Sequence, residues 1–280
     1  MTKIIFVDVD GTLCDRAGAV PLSAKQAIQA TRATGNKVFV CTGRSKPEIT
    51  AEIVGIGLDG IIGAGGGYVE IDGKVLTHKR MPKKAVLAII SYFEEHNIGY
   101  YLESNDGLFG SANCVASIQT QVTKGVDTDS TKYQELMAEF NWFYDILAQS
   151  VGRKIDYANV NKISFISNGH PFEAVNAQFQ AEFEMHHTTV PQFGPESGEI
   201  SVKGIDKQVA IRETLAHLGL AKEDAVAYGD GNNDLAMFAA VGYKVAMENG
   251  TEQLKKLADE ITATAENDGI YQSFLKNKWL

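Results

Sequence analysis

The sequence predicts an α/β fold, a mainly parallel sheet packed between helices, with a second α+β unit inserted into it. Three observations carry this reading. Short apolar runs rich in β-branched residues alternate with helix patterns over residues 4–63. The alternation returns over residues 199–278. Between about residues 82 and 190, hairpins and clustered helices replace it. At 280 residues, with 44% hydrophobic and 22% charged content, the chain has an ordinary globular composition and room for two domains.

Residues 4–7, Ile-Ile-Phe-Val, suit a strand covered on both faces. Residues 22–32 have helical spacing, with Ser23 as a cap, Gln26 three residues on, and Gly35 as the stop. Residues 37–41 read as a second buried strand, 47–56 as a helix and 60–63 as a third strand. That order implies parallel strands joined by right-handed crossovers. Gly63-Ala64-Gly65-Gly66-Gly67 fails as a dinucleotide fingerprint, because the sixth position of the frame is Tyr68. These glycines mark close backbone approach, with a ligand as one candidate neighbour. Residues 68–76 continue as a hairpin across Asp72-Gly73.

The inserted stretch begins with an amphipathic helix over 83–96. A hairpin follows over 99–111 across Asn105-Asp106-Gly107, then helices over 112–124 and 131–149. A strand (162–167), a helix (171–183) and a strand (185–190) complete it. The α/β pattern then resumes with a strand at 199–202 and a helix capped by Asp206 and stopped by Gly219. Strands at 225–228, 243–246 and 260–264 alternate with helices at 235–241, 251–259 and 269–278. The boundaries expected are therefore 1–81 and 191–280 for a discontinuous first domain, and 82–190 for the insertion.

The net charge of −9 argues against nucleic-acid or anionic-membrane partners, which want basic patches. It leaves a small phosphorylated metabolite open as the ligand. No obligatory protein partner is evident. The three cysteines, Cys14, Cys41 and Cys114, are too scattered for a disulfide framework or a zinc cluster and read as small buried hydrophobes. The start lacks a signal pattern and no apolar stretch is long enough to span a bilayer, so a cytoplasmic protein is expected.

In an open α/β sheet, ligands sit outside the carboxyl ends of the strands. The first strand ends in Asp8-Val9-Asp10-Gly11-Thr12. On an ideal strand, positions i and i+2 share a side, so two carboxylates would repel unless a cation lay between them. Mg²⁺ binds through one or two carboxylates plus phosphate oxygens. Asp-Val-Asp-Gly is equally an ordinary strand-ending turn, and this segment alone leaves both readings open. The second strand ends in Thr42-Gly43-Arg44, and another in Asp230 with Asn233 and Asp234 beyond it; Lys207 opens the preceding helix. Phosphoryl transfer needs cations to neutralise phosphate charge and aligned attacking and leaving oxygens, and a carboxylate can serve as its covalent nucleophile.

Asp8-Val9-Asp10-Gly11-Thr12, Thr42-Gly43-Arg44, Lys207 and Gly229-Asp230-Gly231-Asn232-Asn233-Asp234 resemble the four motifs of the haloacid dehalogenase (HAD) superfamily. Lys203-Gly204-Ile205-Asp206-Lys207, and an insertion between the second and third motifs, resemble its Cof-type phosphatase branch with a C2-type (IIB) cap. The resemblance implies a Rossmann-like core and a cap domain. It implies that Asp8 is the nucleophile and a Mg²⁺ ligand. Asp10 is then the general acid/base, with its backbone carbonyl on the metal. Asp230 is the third metal ligand, and Asp234 binds the ion directly or through water. Thr42 and the Gly43 N–H hold the phosphoryl group, and Gly11 offers a backbone donor. Lys207 steadies Asp8 and phosphate, and Asn233 orients Lys207 or phosphate. Lys207 is preferred to Lys203 because it opens the helix and matches the family's spacing. The chain departs at Gly65-Gly66-Gly67, where the family usually has Asn-Gly-Ala, and at Gln208, where Gly is common.

Other polar residues have blander readings. Asp15 and Asp206 are a loop residue and a helix cap, and Arg44 is solvated or ion-paired rather than a phosphate ligand. His186 and His187, adjacent on a strand, point to opposite faces and do not share a metal. Tyr100, Tyr101, Trp142, Phe143 and Tyr144 belong mostly to the insertion's core. Glu103, Ser104 and Asn105, at a hairpin tip, are candidates for substrate contact, and the insertion is expected to close over the site and expel water. The leading expectation is a Mg²⁺-dependent phosphomonoester hydrolase acting on small metabolites such as sugar phosphates through an aspartyl-phosphate. The alternatives are a sugar phosphomutase and a non-catalytic metabolite-binding protein.

Overall fold

The computed structural model of the protein describes residues 2–15 and 18–280. They form two compact units, one of Met1–Arg44, Ile49–His78 and Ile205–Leu280, the other of Ser45–Glu48 and Lys79–Gly204. In chain order the strands are β1 (Ile4–Val7), β2 (Lys37–Cys41), β3 (Gly60–Gly63), β4 (Tyr68–Ile71) and β5 (Lys74–His78). Next come β6 (Gly99–Ser104), β7 (Gly107–Gly110), β8 (Lys162–Ile166), β9 (Phe183–His187) and β10 (Gly198–Val202). The last three are β11 (Ala225–Gly229), β12 (Tyr243–Met247) and β13 (Glu260–Thr262).

The first unit holds an eight-stranded sheet in the order β13-β12-β11-β1-β2-β3-β4-β5. Its strands are parallel from β13 to β3, and β4 and β5 turn back as an antiparallel edge. The unbroken apolar run of β1 is explained by its central place. Ile5 and Val7 enter one core cluster with Val38, Val40, Val226 and Tyr228. Ile4 and Phe6 enter the other with Phe39, Cys41, Ala225 and Ala227. Helices Leu22–Ala33 and Gly269–Lys276 contribute Ala27, Ile28, Ile270 and Phe274 to the first cluster. Helices Lys207–Leu218 and Leu235–Ala240 contribute Ile211, Leu215, Met237 and Phe238 to the second.

Local signals held unevenly. The β4–β5 turn has Asp72 and Gly73 both at positive φ, 47° and 74°, as a two-residue hairpin with an Asp-Gly turn requires. Ser23 is not a cap: the helix starts from Pro21, and the Ser23 hydroxyl donates to Asp268 at 2.5 Å. The helix expected over 47–56 is only Ala51–Val54, stopped by Gly55. Among the glycines after β3, Gly66 does mark close backbone approach, and the neighbour is the chain itself, whereas Gly65 has nothing close by. Gly66 has φ +108°, and a Cβ there would lie 2.3 Å from the carbonyl oxygen of Asp206. Gly66→Ala is therefore expected to lower the unfolding free energy by about 2–4 kcal/mol, from backbone strain plus a backbone clash. Urea unfolding checks this, and an unchanged midpoint would contradict it.

The second unit holds a five-stranded antiparallel sheet in the order β7-β6-β8-β10-β9. Here one expectation is corrected. The strand at 199–202 does not open the returning α/β pattern: β10 lies between β8 and β9, with Ile200 opposite Ile163 and Met185. The first unit resumes at Ile205 rather than at 191, and the insertion begins at Lys79 rather than at 82. A five-residue strand carries no local mark of which sheet it joins.

Helices Lys83–Glu95 and Phe172–Phe179 supply Val86, Ile89, Phe93, Phe172 and Val175 to one core cluster of this unit. Helices Cys114–Val122 and Asn141–Ala148 supply Ile118, Phe143 and Leu147 to another. The helix expected over 131–149 breaks at Phe140 into Thr131–Glu139 and Asn141–Ala148. Tyr100, Tyr101 and Phe143 are buried, and Trp142 is exposed. Glu103 is buried as well: it accepts from the Ser164 hydroxyl at 2.6 Å and lies 3.5 Å from Lys162 Nζ. No helix among the described residues is long and apolar enough to cross a membrane.

Candidate active site

Strands β11, β1 and β2 are adjacent and parallel, with Val7 paired to both Tyr228 and Val40. The residues that follow them therefore leave the sheet at one edge. Asp8 continues β1 for one step, its N–H donating to the Tyr228 carbonyl at 3.0 Å. The chain then curls, with the N–H groups of Leu13 and Cys14 donating to the Val9 carbonyl at 3.1 and 2.9 Å. Asp8 is thus the last residue on the ladder of β1, and Asp10 lies in the turn beyond it. Asp8 is buried and Asp10 exposed.

Three carboxylates do converge. Asp8, Asp230 and Asp234 each offer an oxygen within 4.8 Å of the others. Lys207, buried at the start of its helix, donates to Asp8 Oδ1 and to Asp234 Oδ1, both at 2.6 Å. Asp206 caps that helix, accepting from the Val209 N–H at 2.7 Å, which fixes where Lys207 emerges. Lys203 belongs to the other unit, where its ammonium donates to the Ala181 carbonyl. Asp234 is fully buried, and its second oxygen accepts from the N–H groups of Asp230 and Gly231, each at 3.0 Å. It braces the loop that carries Asp230.

Asp230 is held by two residues that the sequence reading left without a role. Thr12 donates to its Oδ1 at 3.1 Å. Asn249 donates to its Oδ2 at 3.2 Å and to the Gly11 carbonyl at 3.0 Å. Asn249 follows β12, so the strand-end rule applied to that strand would have found it. Gly11 has φ +73°, and a Cβ there would lie 2.4 Å from Asp230 Oδ2. Thr42 is buried at the end of β2, where its hydroxyl accepts from the Arg44 N–H at 3.1 Å and keeps its own proton to donate; Gly43 beside it is half-buried. Asn233 is exposed and lies over Gly231, and the structure does not bring it to Lys207. Arg44 is ion-paired, with Asp10.

The electrostatics show a surplus of negative charge. Burial, and then the charge of Asp234, push the Asp8 carboxyl well above its usual range despite Lys207. The same two causes raise Asp230 to about 6. Burial pulls the Lys207 ammonium down, but Asp8 and Asp234 outweigh it and hold it above its ordinary value. Among the described residues, three carboxylates stand against the Lys207 ammonium, a formal surplus of two negative charges in a largely buried cluster. An all-oxygen donor set with that residual charge fits a hard divalent cation. Cys41, close by, is inert: burial pushes its thiol up to about 12.

Comparison with known proteins agrees with this arrangement. The model of the haloacid dehalogenase-like hydrolases matches residues 5–274. Phosphatase YwpJ of Bacillus subtilis is 24% identical over 96% of this chain and 97% of its own length. The chloroplastic endoribonuclease YBEY of Arabidopsis thaliana is 28% identical over 95% of this chain, and the chain spans 45% of that protein's length. Among solved structures, the HAD subclass IIB sugar phosphatase BT4131 superposes with a TM-score of 0.73 at 23% identity, over 100% of both chains. The sheet edge, its acid cluster and a family match across nearly the whole sequence thus converge, and the chain belongs to the haloacid dehalogenase-like hydrolases, as an enzyme of the phosphatase kind.

Proposed function

We propose that the protein is a Mg²⁺-dependent phosphomonoester hydrolase that acts on small phosphorylated metabolites such as sugar phosphates through an aspartyl-phosphate on Asp8. The observation that carries this is the setting of Asp8, buried, tied by one oxygen to Lys207, and close to Asp230 and Asp234. A carboxylate so placed can attack phosphorus once the substrate's own charge is offset. The Thr42 hydroxyl and the Gly43 N–H hold the transferring group, and Lys207 keeps Asp8 in line. Asp10 gives a proton to the leaving alcohol and then takes one from the water that cleaves the acyl phosphate.

Asp8, the Asp10 carbonyl and Asp230 would hold the metal. Asp234 would reach it through water, since its two oxygens already accept from Lys207, Asp230 and Gly231. Bound magnesium supplies charge neutralisation of the phosphate oxygens. The kinship with curated phosphatases supports hydrolysis over transfer to a second sugar hydroxyl.

Turnover of p-nitrophenyl phosphate is expected to vanish on chelation and to return with added Mg²⁺, with inorganic phosphate released in step with the phenol. Undiminished turnover in chelator would refute the metal dependence. An isomerised sugar phosphate as product would favour the mutase. A screen of sugar phosphates, nucleotides and phosphorylated cofactors then identifies the substrate class.

A further inference from the structure

The Arg44–Asp10 pair differs from an ordinary surface ion pair. Arg44 donates from Nε to Asp10 Oδ2 at 3.0 Å and from Nη2 to Oδ1 at 2.6 Å. The Arg44 side chain is only 10% exposed, whereas that of Asp10 is 65% exposed. The guanidinium is the anchored member and the carboxylate the presented one. An exposed carboxylate on a short side chain otherwise samples several rotamers, and ion pairs between two mobile exposed chains fix little. Here one planar fork rooted in the fold holds both carboxylate oxygens at once. Its root is firm: the Arg44 N–H donates to Thr42 Oγ1 at 3.1 Å, and its carbonyl accepts from the Ala64 N–H at 2.7 Å. The phosphate-holding segment after β2 is thereby tied to the turn after β1.

We propose that Arg44 is a positioning residue: it holds the Asp10 carboxyl in the orientation from which it meets the leaving group, and does not itself bind the phosphate. This rests on the reading of Asp10 as the acid/base. Proton transfer needs that carboxyl within hydrogen-bond reach of the ester oxygen, and a displacement of about 1 Å in a reacting group costs on the order of a hundredfold in rate. Lysine at this position would keep the charge but not the two-point grip.

The test is steady-state kinetics on p-nitrophenyl phosphate with saturating Mg²⁺, for wild type, Arg44→Ala, Arg44→Lys, Asp10→Asn and the Arg44→Ala/Asp10→Asn double variant. Circular dichroism and thermal midpoints confirm that each is folded. Arg44→Ala is expected to lower kcat by about ten- to a hundredfold while KM stays within about threefold. Arg44→Lys recovers little of that loss, and free guanidinium ion restores part of it in Arg44→Ala. In the Asp10→Asn background, Arg44→Ala changes kcat no further. A raised KM with kcat preserved would make Arg44 a phosphate ligand and overturn the inference, as would additive losses in the double variant. If Arg44→Ala does not fold, Arg44→Lys decides by the same split of kcat against KM. Loss of turnover in Asp10→Asn beside an unchanged kcat in both Arg44 variants sinks only the positioning role. Full turnover in Asp10→Asn sinks the acid/base reading, and this inference with it.

Discussion

Asp8→Asn is expected to reduce turnover of an aryl phosphate by about a thousandfold or more, the scale on which loss of a covalent nucleophile acts. The amide is close to isosteric, so the cavity is unchanged and the Lys207 ammonium keeps an oxygen to bond. Stability should move the other way. In the metal-free protein, burial and Asp234 raise the Asp8 carboxyl above its usual range, so its ionised form opposes folding. The folded-state pKa lies above the unfolded one. The penalty is therefore absent at acid pH, below the unfolded carboxyl's pKa, and grows as pH rises through the folded value. In chelator at neutral pH, Asp8→Asn should melt a few degrees above wild type, on the order of 2–8 °C per kcal/mol recovered, and this gain should vanish on acidification. Its response to added Mg²⁺ should be weaker than that of wild type, because one ligand is gone. Retained turnover would remove Asp8 as nucleophile. A lower midpoint in chelator would show that Lys207 more than offsets the burial of the charge.

Such opposed effects on activity and stability mark a residue placed for chemistry rather than for packing. Residues of this kind were also the most legible in the sequence. Asp8, Thr42 and Asp230 each end a short apolar run, and parallel strands bring such ends together whatever the intervening chain does. Lys207 was legible for a different reason, since Asp206 caps its helix and fixes the direction from which the ammonium enters. Two kinds of information were not readable. One was the point at which β1 stops being a strand. The period-two rule pairs Asp8 with Asp10 only while the backbone stays extended, and the turn at Val9 sends Asp10 to Arg44. The other was the choice of sheet by a short strand. β10 carries a buried Ile200 that would suit either sheet, and only the long-range pairing with β8 and β9 settles it. Asn249, just past β12, is within reach of the strand-end rule; only its partner, the Gly11 carbonyl, is set by the path of a turn.

Lys207→Met is expected to have the largest effect on folding. The variant keeps the length and volume of the side chain but withdraws the cation that lies 2.6 Å from both Asp8 and Asp234. Replacing a buried ion pair with apolar groups can be neutral, but removing one member leaves an uncompensated charge and costs about 3–5 kcal/mol. Here two carboxylates are stranded, and the charge of Asp234 raises the Asp8 carboxyl with no ammonium to oppose it. The urea midpoint of the metal-free variant should fall accordingly, and turnover should be lost because Asp8 is no longer held. A divalent cation binds the folded cluster and not the unfolded chain, so millimolar Mg²⁺ should restore much of the lost stability without restoring activity. Adding Asp234→Asn to Lys207→Met should recover stability in the absence of metal, because it removes one of the two stranded charges. If Lys207→Met unfolds at the wild-type midpoint, or if Asp234→Asn deepens the loss, the carboxylates are not competing for one charge and the electrostatic account of the site fails. Recovery by both routes, one adding a cation and the other removing an anion, would locate the strain in net charge rather than in packing.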